Sequence, residues 1–528
     1  MPRTTLKASE QGKIRIKQAR IEKIEQAKRE IIEQRGKIKK GWNIDQIFLR
    51  EASQILEPNK NWDNIESEEH YFVSLATWKR FREAREAINP ETFKVFCEIL
   101  DLNWQDIAEN EVDRSRDLSQ APPPSSFYGR TQELTELQQW LIQERCRLVV
   151  IHGMGKIGKA ALARQLVEKI ADKYDYIIWR SLNSAPPFQT ILTEVVQFLS
   201  RGQENVGISL LIQSLRQHRC LLVLEDWEEI MGSNSEDYSD YCELLRRVTR
   251  EAHQSSVLLL SREKPKNTAT WEGQLTRFKQ LGGLNCEDAK EILKAEGLFG
   301  QEDELEEFSR RYSNPWILKK IAQMVKGVFA GEVSGFVQGT SIFVDDDITD
   351  FLDRQFQQLS DSGKNVIYWI AIRRNTASWE QLVQDTHQLL SYNQLFYTLD
   401  NLIQGRSLVE KNLEEIPILY TLDPVILKYI TNRFVEDNYH QIFQIIKSQI
   451  LQGSELFISH SFITEIPQYE LLCQEQIRRI VKPIQEKLYA ELRDKQRLEE
   501  ELKKILSILQ QRDISAGYAR QNILSLLS

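Results

Sequence analysis

The sequence predicts a multidomain protein of mixed α and α/β class, in which a doubly wound parallel sheet lies between helical regions. Its 528 residues are too many for a single hydrophobic core, so several domains are expected. Between residues 127 and 275, continuous apolar runs alternate with helical patterns, which is typical of parallel strands joined by helices. Outside that stretch, residues 1–115 and 441–528 show mainly helical periodicity.

The overall composition is that of an ordinary globular protein, with 41% hydrophobic and 28% charged residues. A net charge of −8 argues against a nucleic-acid coat protein. The cysteines form no C-x-x-C pair and the histidines have no metal-ligand spacing, so we expect reduced thiols and no structural metal. The sequence has neither an apolar run of about 18 residues nor a signal-peptide core, which predicts a cytoplasmic protein without a membrane partner.

The first segment, residues 1–42, is predicted to be a basic amphipathic helix. It contains thirteen Lys and Arg against five Glu. Isoleucines recur near helical spacing, at Ile14, Ile21, Ile24, Ile31 and Ile38. One interpretation is attraction to a phosphate backbone. The other, which we favour, is a solvated helix that packs its isoleucines on the next domain.

Residues 43–115 are predicted to form a compact helical module. Ser74 is suited to cap a helix rich in Lys and Arg, and Pro90 is suited to the first turn of the next helix. The order of these helices resembles the later helices of phage-repressor helix-turn-helix domains. Basic residues would suit DNA, but Glu83 and Glu86 interrupt them, and helical adaptor modules share this pattern. We therefore favour a protein contact over DNA.

Residues 116–126 differ in composition from their surroundings, because they include the three consecutive prolines Pro122–Pro124. Proline holds the backbone extended without internal hydrogen bonds, so this segment is predicted to be a semi-rigid linker. It marks the boundary before the α/β domain.

A phosphate-binding loop is predicted where the apolar run Leu148–Ile151 breaks into a glycine-rich turn. The spacing Gly-x-x-x-x-Gly-Lys is that of a P-loop. Its glycines let successive backbone N–H groups turn inward around an anion, and the following helix adds its positive end. Lys159 is expected to reach the β-phosphate. The residues predicted to bind the nucleotide here are Gly153, Met154, Gly155, Lys156, Ile157, Gly158, Lys159, Ala160 and Ala161.

The alternative for this loop is a glycine turn without a ligand, which the strand before it and the helix after it disfavour. Ala160 departs from the P-loop pattern, because a Ser or Thr hydroxyl normally holds Mg²⁺ at that position. The sequence therefore predicts binding of ADP or ATP more firmly than hydrolysis. Bound Mg²⁺ is in doubt, and no metal ligand is predicted.

Charged residues follow two later apolar runs of the predicted sheet. Residues 220–224 lead into Glu225 and Asp226, and residues 256–261 lead into Arg262. The carboxyl ends of parallel strands meet at one edge of a sheet, where ligands bind. We therefore expect these side chains to lie near the glycine-rich loop.

These motifs, together with Gly129-Arg130 and Glu133-Leu134 ahead of the loop, resemble the NB-ARC subfamily of signal-transduction (STAND) NTPases. Plant disease-resistance and apoptosome ATPases belong to that subfamily, as do many bacterial regulators. Its Gly-x-Pro motif has a counterpart at Ser313-Asn314-Pro315. The resemblance implies a P-loop domain at residues 127–275, a small helical (ARC-type) domain at 276–345 and a winged helix at 346–440. Helical periodicity predicts a C-terminal helical region at 441–528.

The resemblance also implies roles for individual residues. Arg130 and Pro315 flank the nucleoside, and Arg262 senses the γ-phosphate. Glu225 and Asp226 take the positions of the catalytic acids. The alternatives are that the proline only starts a helix, that the arginine only forms an ion pair with the residue after it, and that the acids are strand-end carboxylates without a metal.

Several residues depart from the family pattern. Ala160 and Ala161 replace the two hydroxyl residues after the P-loop lysine, and Glu225 replaces the first aspartate. Asp423 stands where a histidine contacts the ADP phosphate. Because phosphoryl transfer relies on positioned Mg²⁺ and electrostatic clamps, hydrolysis is expected to be weak or absent while nucleotide binding survives.

The resemblance therefore predicts a nucleotide-dependent signal-transduction switch, in which ADP or ATP biases closed against open, oligomer-competent states. A protein partner is expected at the N-terminal helical module and at the C-terminal helices, with a homo-oligomer forming on activation. Two alternatives remain, a degenerate NTPase that acts as a binding scaffold and a DNA-binding transcription regulator.

Overall fold

The computed structural model divides the chain into two compact units, residues 1–117 and 118–528, each with hydrophobic core of its own. Among the residues that it describes, no helix is long and apolar enough to cross a lipid bilayer. Those residues are 6–8, 10–35, 45–60, 62, 71–84, 86–107, 115–124, 126–200, 206–231, 235–265, 271, 273, 275–339, 342–374, 377–413, 416–464, 470–511 and 517–528.

The first unit is mainly helical. The predicted helix starts are confirmed, because the Ser74 hydroxyl accepts a hydrogen bond from the Thr77 N–H and Pro90 lies in a first turn. Trp78 is fully buried and stacks on Phe48, with ring centroids 4.6 Å apart. The elements are α1 (Glu10–Arg35), α2 (Asp45–Leu56), α3 (Leu75–Glu83), α4 (Pro90–Glu98), α5 (Trp104–Ile107) and the short strand β1 (Arg116–Asp117).

Helix α1 buries Ile24, as predicted, but otherwise a different set of isoleucines. Ile16 and Ile24 lie in the core of the first unit, whereas Ile14 and Ile21 are 68% and 46% exposed. The predicted seam was wrong at Ile14 and Ile21, because spacing alone does not tell the inward face from the outward face when both carry isoleucine. The two other predicted isoleucines, at positions 31 and 38, lie outside the residues whose side chains are described.

A parallel sheet forms the centre of the second unit, as predicted. Its strands pair in the order β3-β4-β5-β2-β6, and each of these pairs is parallel. The central strands are apolar and buried because helices cover both faces of the sheet. The strands are β2 (Leu148–His152), β3 (Tyr176–Ser181), β4 (Cys220–Glu225), β5 (Ser256–Ser261) and β6 (Thr276–Gln280).

Strand β6 was not predicted, because Arg277 and Lys279 interrupt its apolar pattern, as an edge strand allows. The helices that accompany the sheet begin with α7, which follows the glycine-rich loop directly. They are α6 (Thr131–Gln138), α7 (Lys159–Ile170), α8 (Phe188–Ser200), α9 (Ile208–Gln217), α10 (Trp227–Met231) and α11 (Ser235–Arg250).

Helices follow the sheet, and a small antiparallel sheet comes after them. The helices are α12 (Cys286–Glu296), α13 (Glu302–Arg311), α14 (Pro315–Phe329) and α15 (Ser334–Gln338). The next elements are α16 (Asp346–Gln357), α17 (Asp361–Ile372), β7 (Ala377–Ser378), α18 (Trp379–Thr386), α19 (Tyr392–Asp400), β8 (Glu410–Asn412) and β9 (Leu419–Thr421). The strands pair antiparallel in the order β7-β9-β8, which with α17, α18 and α19 gives the element order of a winged helix.

The long helix α20 (Pro424–Ser448) leads from the winged helix into the C-terminal helices. It runs through residue 440, where the predicted domain boundary lies, because its buried face continues through Tyr439, Ile442 and Ile445. The remaining helices are α21 (Glu455–Ser459), α22 (Glu470–Gln476), α23 (Lys482–Leu492), α24 (Lys495–Gln511) and α25 (Ala519–Leu527).

Candidate nucleotide-binding site

The loop between β2 and α7 has the backbone of an anion cradle. Gly153, Lys156 and Gly158 have φ angles of 155°, 60° and 99°, and such positive φ angles are those with which successive backbone N–H groups can converge on an anion. No side chain caps the start of α7, so its first N–H groups remain available to a phosphate. Gly153 is required on packing grounds too, because a Cβ there would lie 2.4 Å from the carbonyl oxygen of Leu281.

A cavity of about 330 Å³ opens over this loop. The ends of β4 and β5 face it, so the predicted meeting of Glu225, Asp226 and Arg262 with the loop is what the structure has. Its size and its donor groups suit the phosphates of a nucleotide. The lining residues are Gly155, Lys156, Gly158, Lys159, Ala160, Ala161, Glu225, Asp226, Glu228, Leu260, Arg262 and Trp316.

The ammonium of Lys159 is held at the floor of the cavity by its own loop. Its Nζ donates to the carbonyl oxygens of Gly153, at 2.8 Å, and Met154, at 3.0 Å. Burial lowers the pKa of Lys159 to about 8, and nearby Arg262 acts in the same direction, while neighbouring carboxylates oppose both. Lys159 is therefore positioned as a cation whose charge an anionic ligand would stabilise.

The two strand-end acids differ in their surroundings. Glu225 accepts a hydrogen bond from the indole N–H of Trp179 at 2.9 Å, and burial raises the pKa of its carboxyl group. Asp226 has a φ of 62°, and its carboxylate accepts a hydrogen bond from the Ser181 hydroxyl at 3.0 Å. Both acids thus face the cavity with one protein donor each.

Arg262 is engaged by glutamates of α10. Its Nε lies 2.6 Å from Glu228 Oε1, its backbone N–H donates to Glu228 Oε2 at 2.8 Å, and its Nη2 lies 3.0 Å from Glu229 Oε1. The expected alternative partner, Glu263, instead pairs with Arg406 at 2.6 Å. The ion-pair partners of Arg262 thus differ from the expected one, because a helix after β4 brings other acids close, and its contact with a γ-phosphate stays a prediction.

Arg130 and Pro315 occupy different surroundings. Arg130 is 5% exposed and donates to the carbonyl oxygens of Gly282, at 2.7 Å, and Gly283, at 3.3 Å. It is not among the residues that line the cavity. Pro315 lies beside the loop, with its Cγ 3.7 Å from where a Cβ on Gly158 would be. Their contact with a nucleoside stays a prediction.

The sequence reasoning missed three of the residues that line the cavity, Glu228, Leu260 and Trp316. Glu228 lies two positions after Asp226, in the first turn of α10, and the run of acids there is the signal that would have identified it. Trp316 lies in the first turn of α14, where its apolar character alone suggests a core residue. Its ring instead lines the cavity beside Lys156, whose Nζ is 3.3 Å from the ring centroid.

The residues present fit a nucleotide but not a hydroxyl-bound Mg²⁺. The cradle and Lys159 supply N–H donors and a positive charge to phosphate groups. Ala160 and Ala161 present methyl groups to the cavity, so the oxygen ligand that a P-loop offers to Mg²⁺ is missing.

Asp423 is placed in a polar contact away from the lining of this cavity. One carboxylate oxygen accepts a hydrogen bond from the Ser313 hydroxyl at 2.7 Å, and the other accepts one from the Val425 N–H at 2.8 Å. Burial raises the pKa of this carboxyl group. Asp423 thus caps α20 and joins it to the segment just before α14.

Residues 130–300 match the family model described as the NB-ARC domain. A WD repeat-containing protein of Nostoc sp. (strain PCC 7120), described as uncharacterized, is 33% identical over 99% of this chain and 45% of its own length. A candidate disease resistance protein of Arabidopsis thaliana is 25% identical over 38% of this chain and 23% of its own. The chain thus spans less than half the length of these relatives.

A STAND protein with a tetratricopeptide repeat sensor from Pyrococcus horikoshii has a similar structure. The match has a TM-score of 0.32 and 14% sequence identity, and it covers 79% of this chain and 62% of the other. At that level the likeness carries no conclusion about function.

Proposed function

We propose that this protein is a nucleotide-dependent signalling switch. The premise is that residues 130–300 form an NB-ARC domain and that the chain is a STAND-class P-loop NTPase. The observation that carries the proposal is the loop cradle with Lys159, in a cavity that Trp316 of α14 also lines. A ligand in this cavity touches both the sheet domain and the helices after it. Nucleotide binding is thereby coupled to the arrangement of the second unit.

Binding without efficient hydrolysis is the favoured state of the site. Charge on the transferring phosphoryl group must be stabilised for hydrolysis to proceed, usually by Mg²⁺ and a positioned cation. Here Ala160 offers no oxygen to Mg²⁺, and the ion pair with Glu228 holds Arg262. The site therefore favours retention of ADP or ATP over turnover.

The switch acts through contacts between the sheet domain and the winged helix. Arg406 pairs with Glu263 at 2.6 Å, and the Lys264 N–H donates to the Gly405 carbonyl oxygen at 3.0 Å. These contacts lie directly after Arg262, the residue that follows β5 and lines the cavity. A ligand that strengthens or weakens this arrangement shifts the population between closed and open states.

The winged helix supports a protein partner better than DNA. Tyr392, Phe396 and Tyr397 of α19 are 61%, 56% and 72% exposed, and α19 contains no Lys or Arg. Duplex DNA requires cations for its phosphates, whereas exposed aromatic patches mark protein contacts. We therefore propose protein contacts, including a homo-oligomer on activation, rather than transcription regulation through this element.

Thermal unfolding of the full chain with ADP or ATP, each with Mg²⁺ or EDTA, tests the proposal. Nucleotide at a hundred times its Kd should stabilise the protein by about 2.7 kcal/mol, with ADP acting equally in EDTA. Lys159→Ala is expected to remove most of the shift, because it removes the loop cation. The protein is first stripped of co-purified nucleotide, confirmed by acid extraction and chromatography. A stripped protein that shows no shift with either nucleotide would contradict nucleotide binding.

A further inference from the structure

Lys156 takes an unusual backbone conformation within the glycine-rich loop. Its φ of 60° lies in the left-handed region, which glycine adopts at lower cost than a residue with a Cβ. The backbone thus gains nothing from a lysine at this position. The reason for a lysine must lie in what its side chain does.

The ammonium of Lys156 is held by aromatic rings instead of carboxylates. Its Nζ lies 3.3 Å from the ring centroid of Trp316 and 5.0 Å from that of Phe351. The nearby carboxylate of Asp347 forms an ion pair with another lysine instead. Burial and then Arg354 lower its pKa, while Asp347 opposes them. Within the described part of the chain, Lys156 is therefore a cation of the cavity lining that contacts aromatic rings rather than a carboxylate.

The charges around the cavity leave a place for such a cation. Glu225 and Asp226 are acids at the strand ends, and Arg262 is paired with Glu228. Among the lining residues, Lys159 is the other cation, and a bound diphosphate would place two or three negative charges against it. Where a hydroxyl-bound Mg²⁺ would supply further positive charge, Ala160 supplies none.

We propose that Lys156 binds the terminal phosphate of the nucleotide and supplies the positive charge that Mg²⁺ supplies at other P-loops. Without a ligand, the Lys156 ammonium contacts the Trp316 ring at the cavity, and on binding it forms an ion pair with the phosphate. This inference rests on the proposed nucleotide binding. The inference goes beyond the proposed nucleotide binding, because it assigns Mg²⁺-independent binding to one side chain. That side chain stands at a loop position where the P-loop pattern does not call for a positive charge.

Lys156→Gly tests the inference without endangering the fold, because glycine adopts the φ of 60° freely. Isothermal titration of ADP into the full chain in EDTA should show a Kd raised roughly ten- to hundredfold, the effect of one charge-assisted hydrogen bond. Lys156→Arg keeps the charge and should stay within about fivefold of the unmodified chain. Arg354→Gln removes a cation that influences Lys156 but does not line the cavity, and should leave the Kd nearly unchanged.

A restored hydroxyl provides a second readout. In the double variant Lys156→Gly/Ala160→Thr, Mg²⁺ should recover the lost ADP affinity, whereas in Lys156→Gly alone Mg²⁺ should have little effect. Mg²⁺ should also leave the affinity of the unmodified chain unchanged within about twofold.

The outcomes separate this inference from the proposed function. If the unmodified chain, stripped of nucleotide, does not bind ADP, nucleotide binding itself fails. If it binds ADP and Lys156→Gly binds equally well in EDTA, the role of Lys156 is overturned while the switch stands. An affinity of the unmodified chain that rises tenfold or more with Mg²⁺ would likewise overturn it.

Discussion

The protonation state of Lys159 is expected to influence nucleotide affinity. Its ammonium donates to two carbonyl oxygens of its own loop, so burial is only partly compensated and its pKa falls to about 8. A phosphate anion favours the charged form and raises this pKa when it binds. His152, at the end of β2, is buried as well, and burial lowers its pKa to about 4, so it stays neutral near pH 7.

Nucleotide affinity is expected to fall as pH rises through about 8. The free protein loses the Lys159 proton there, so binding must take a proton up again. Calorimetry of ADP binding at pH 8.5 in buffers of different ionisation enthalpy should show proton uptake. Lys159→Arg, which stays charged, is the control and should bind without this uptake. Equal uptake in both proteins would assign the proton to another group.

The same shift has the opposite effect on the stability of the protein without ligand. An unfolded chain holds the lysine proton up to about pH 10.4, whereas the folded chain has released it above about 8. Between these values the unfolded state binds more protons, so this group makes unfolding less favourable as pH rises. Affinity and intrinsic stability therefore change in opposite directions over this range.

The winged helix contains aromatic residues of two kinds, buried ones in its core and exposed ones on its surface. Trp369 of α17 is 1% exposed and stacks on His460, whereas Tyr397 of α19 is 72% exposed. Around Tyr397, α19 presents further aromatic rings, and Phe396 lies 5.9 Å from it between ring centroids. Burial separates the structural aromatics from those available to a partner.

Substitutions in these two helices should have very different costs. Tyr397→Ser should change the free energy of unfolding by about 0.5 kcal/mol or less, because its side chain contacts mainly solvent. Trp369→Ala should cost about 3–5 kcal/mol, because it leaves a cavity among packed side chains. Urea unfolding followed by circular dichroism measures both. A loss of more than 2 kcal/mol from Tyr397→Ser would show that the patch stabilises the fold and is not a free surface.

At the scale of the whole second unit, the sheet domain and the winged helix are joined by polar contacts. Gln280, at the end of β6, donates to the Ile403 carbonyl oxygen at 2.9 Å, and Arg406 pairs with Glu263. The hydrogen bond between Ser313 and Asp423 forms a second connection, which joins the segment before α14 to the start of α20.

Arg406→Ala is expected to speed the release of bound ADP about fivefold, the effect of losing about 1 kcal/mol from the closed arrangement. Stopped-flow release of a fluorescent ADP analogue measures the rate. Glu263→Ala and the double variant complete a cycle, in which the two substitutions should not add because they remove the same ion pair. Additive effects would show that this pair does not couple the domains.

Much of the fold was predictable from local chemistry. Buried parallel strands are recognisable as continuous apolar runs. Ser74 and Pro90 predict helix starts, because their side chains suit the N-cap and the first turn. Strand β6 was not predicted, because charged residues at the edge of the sheet interrupt the apolar run that marks a buried strand. The inward face of α1 escaped as well, since isoleucines occur on both of its faces.

The sequence by itself determined that this chain has a phosphate cradle, because glycine spacing, a preceding strand and a following lysine are properties of one short segment. It also determined that Ala160 offers no hydroxyl. Only the tertiary structure decided that Glu228 holds Arg262 and that Trp316 holds Lys156. Those partners come from elements far apart along the chain, and their distances depend on how the whole unit packs.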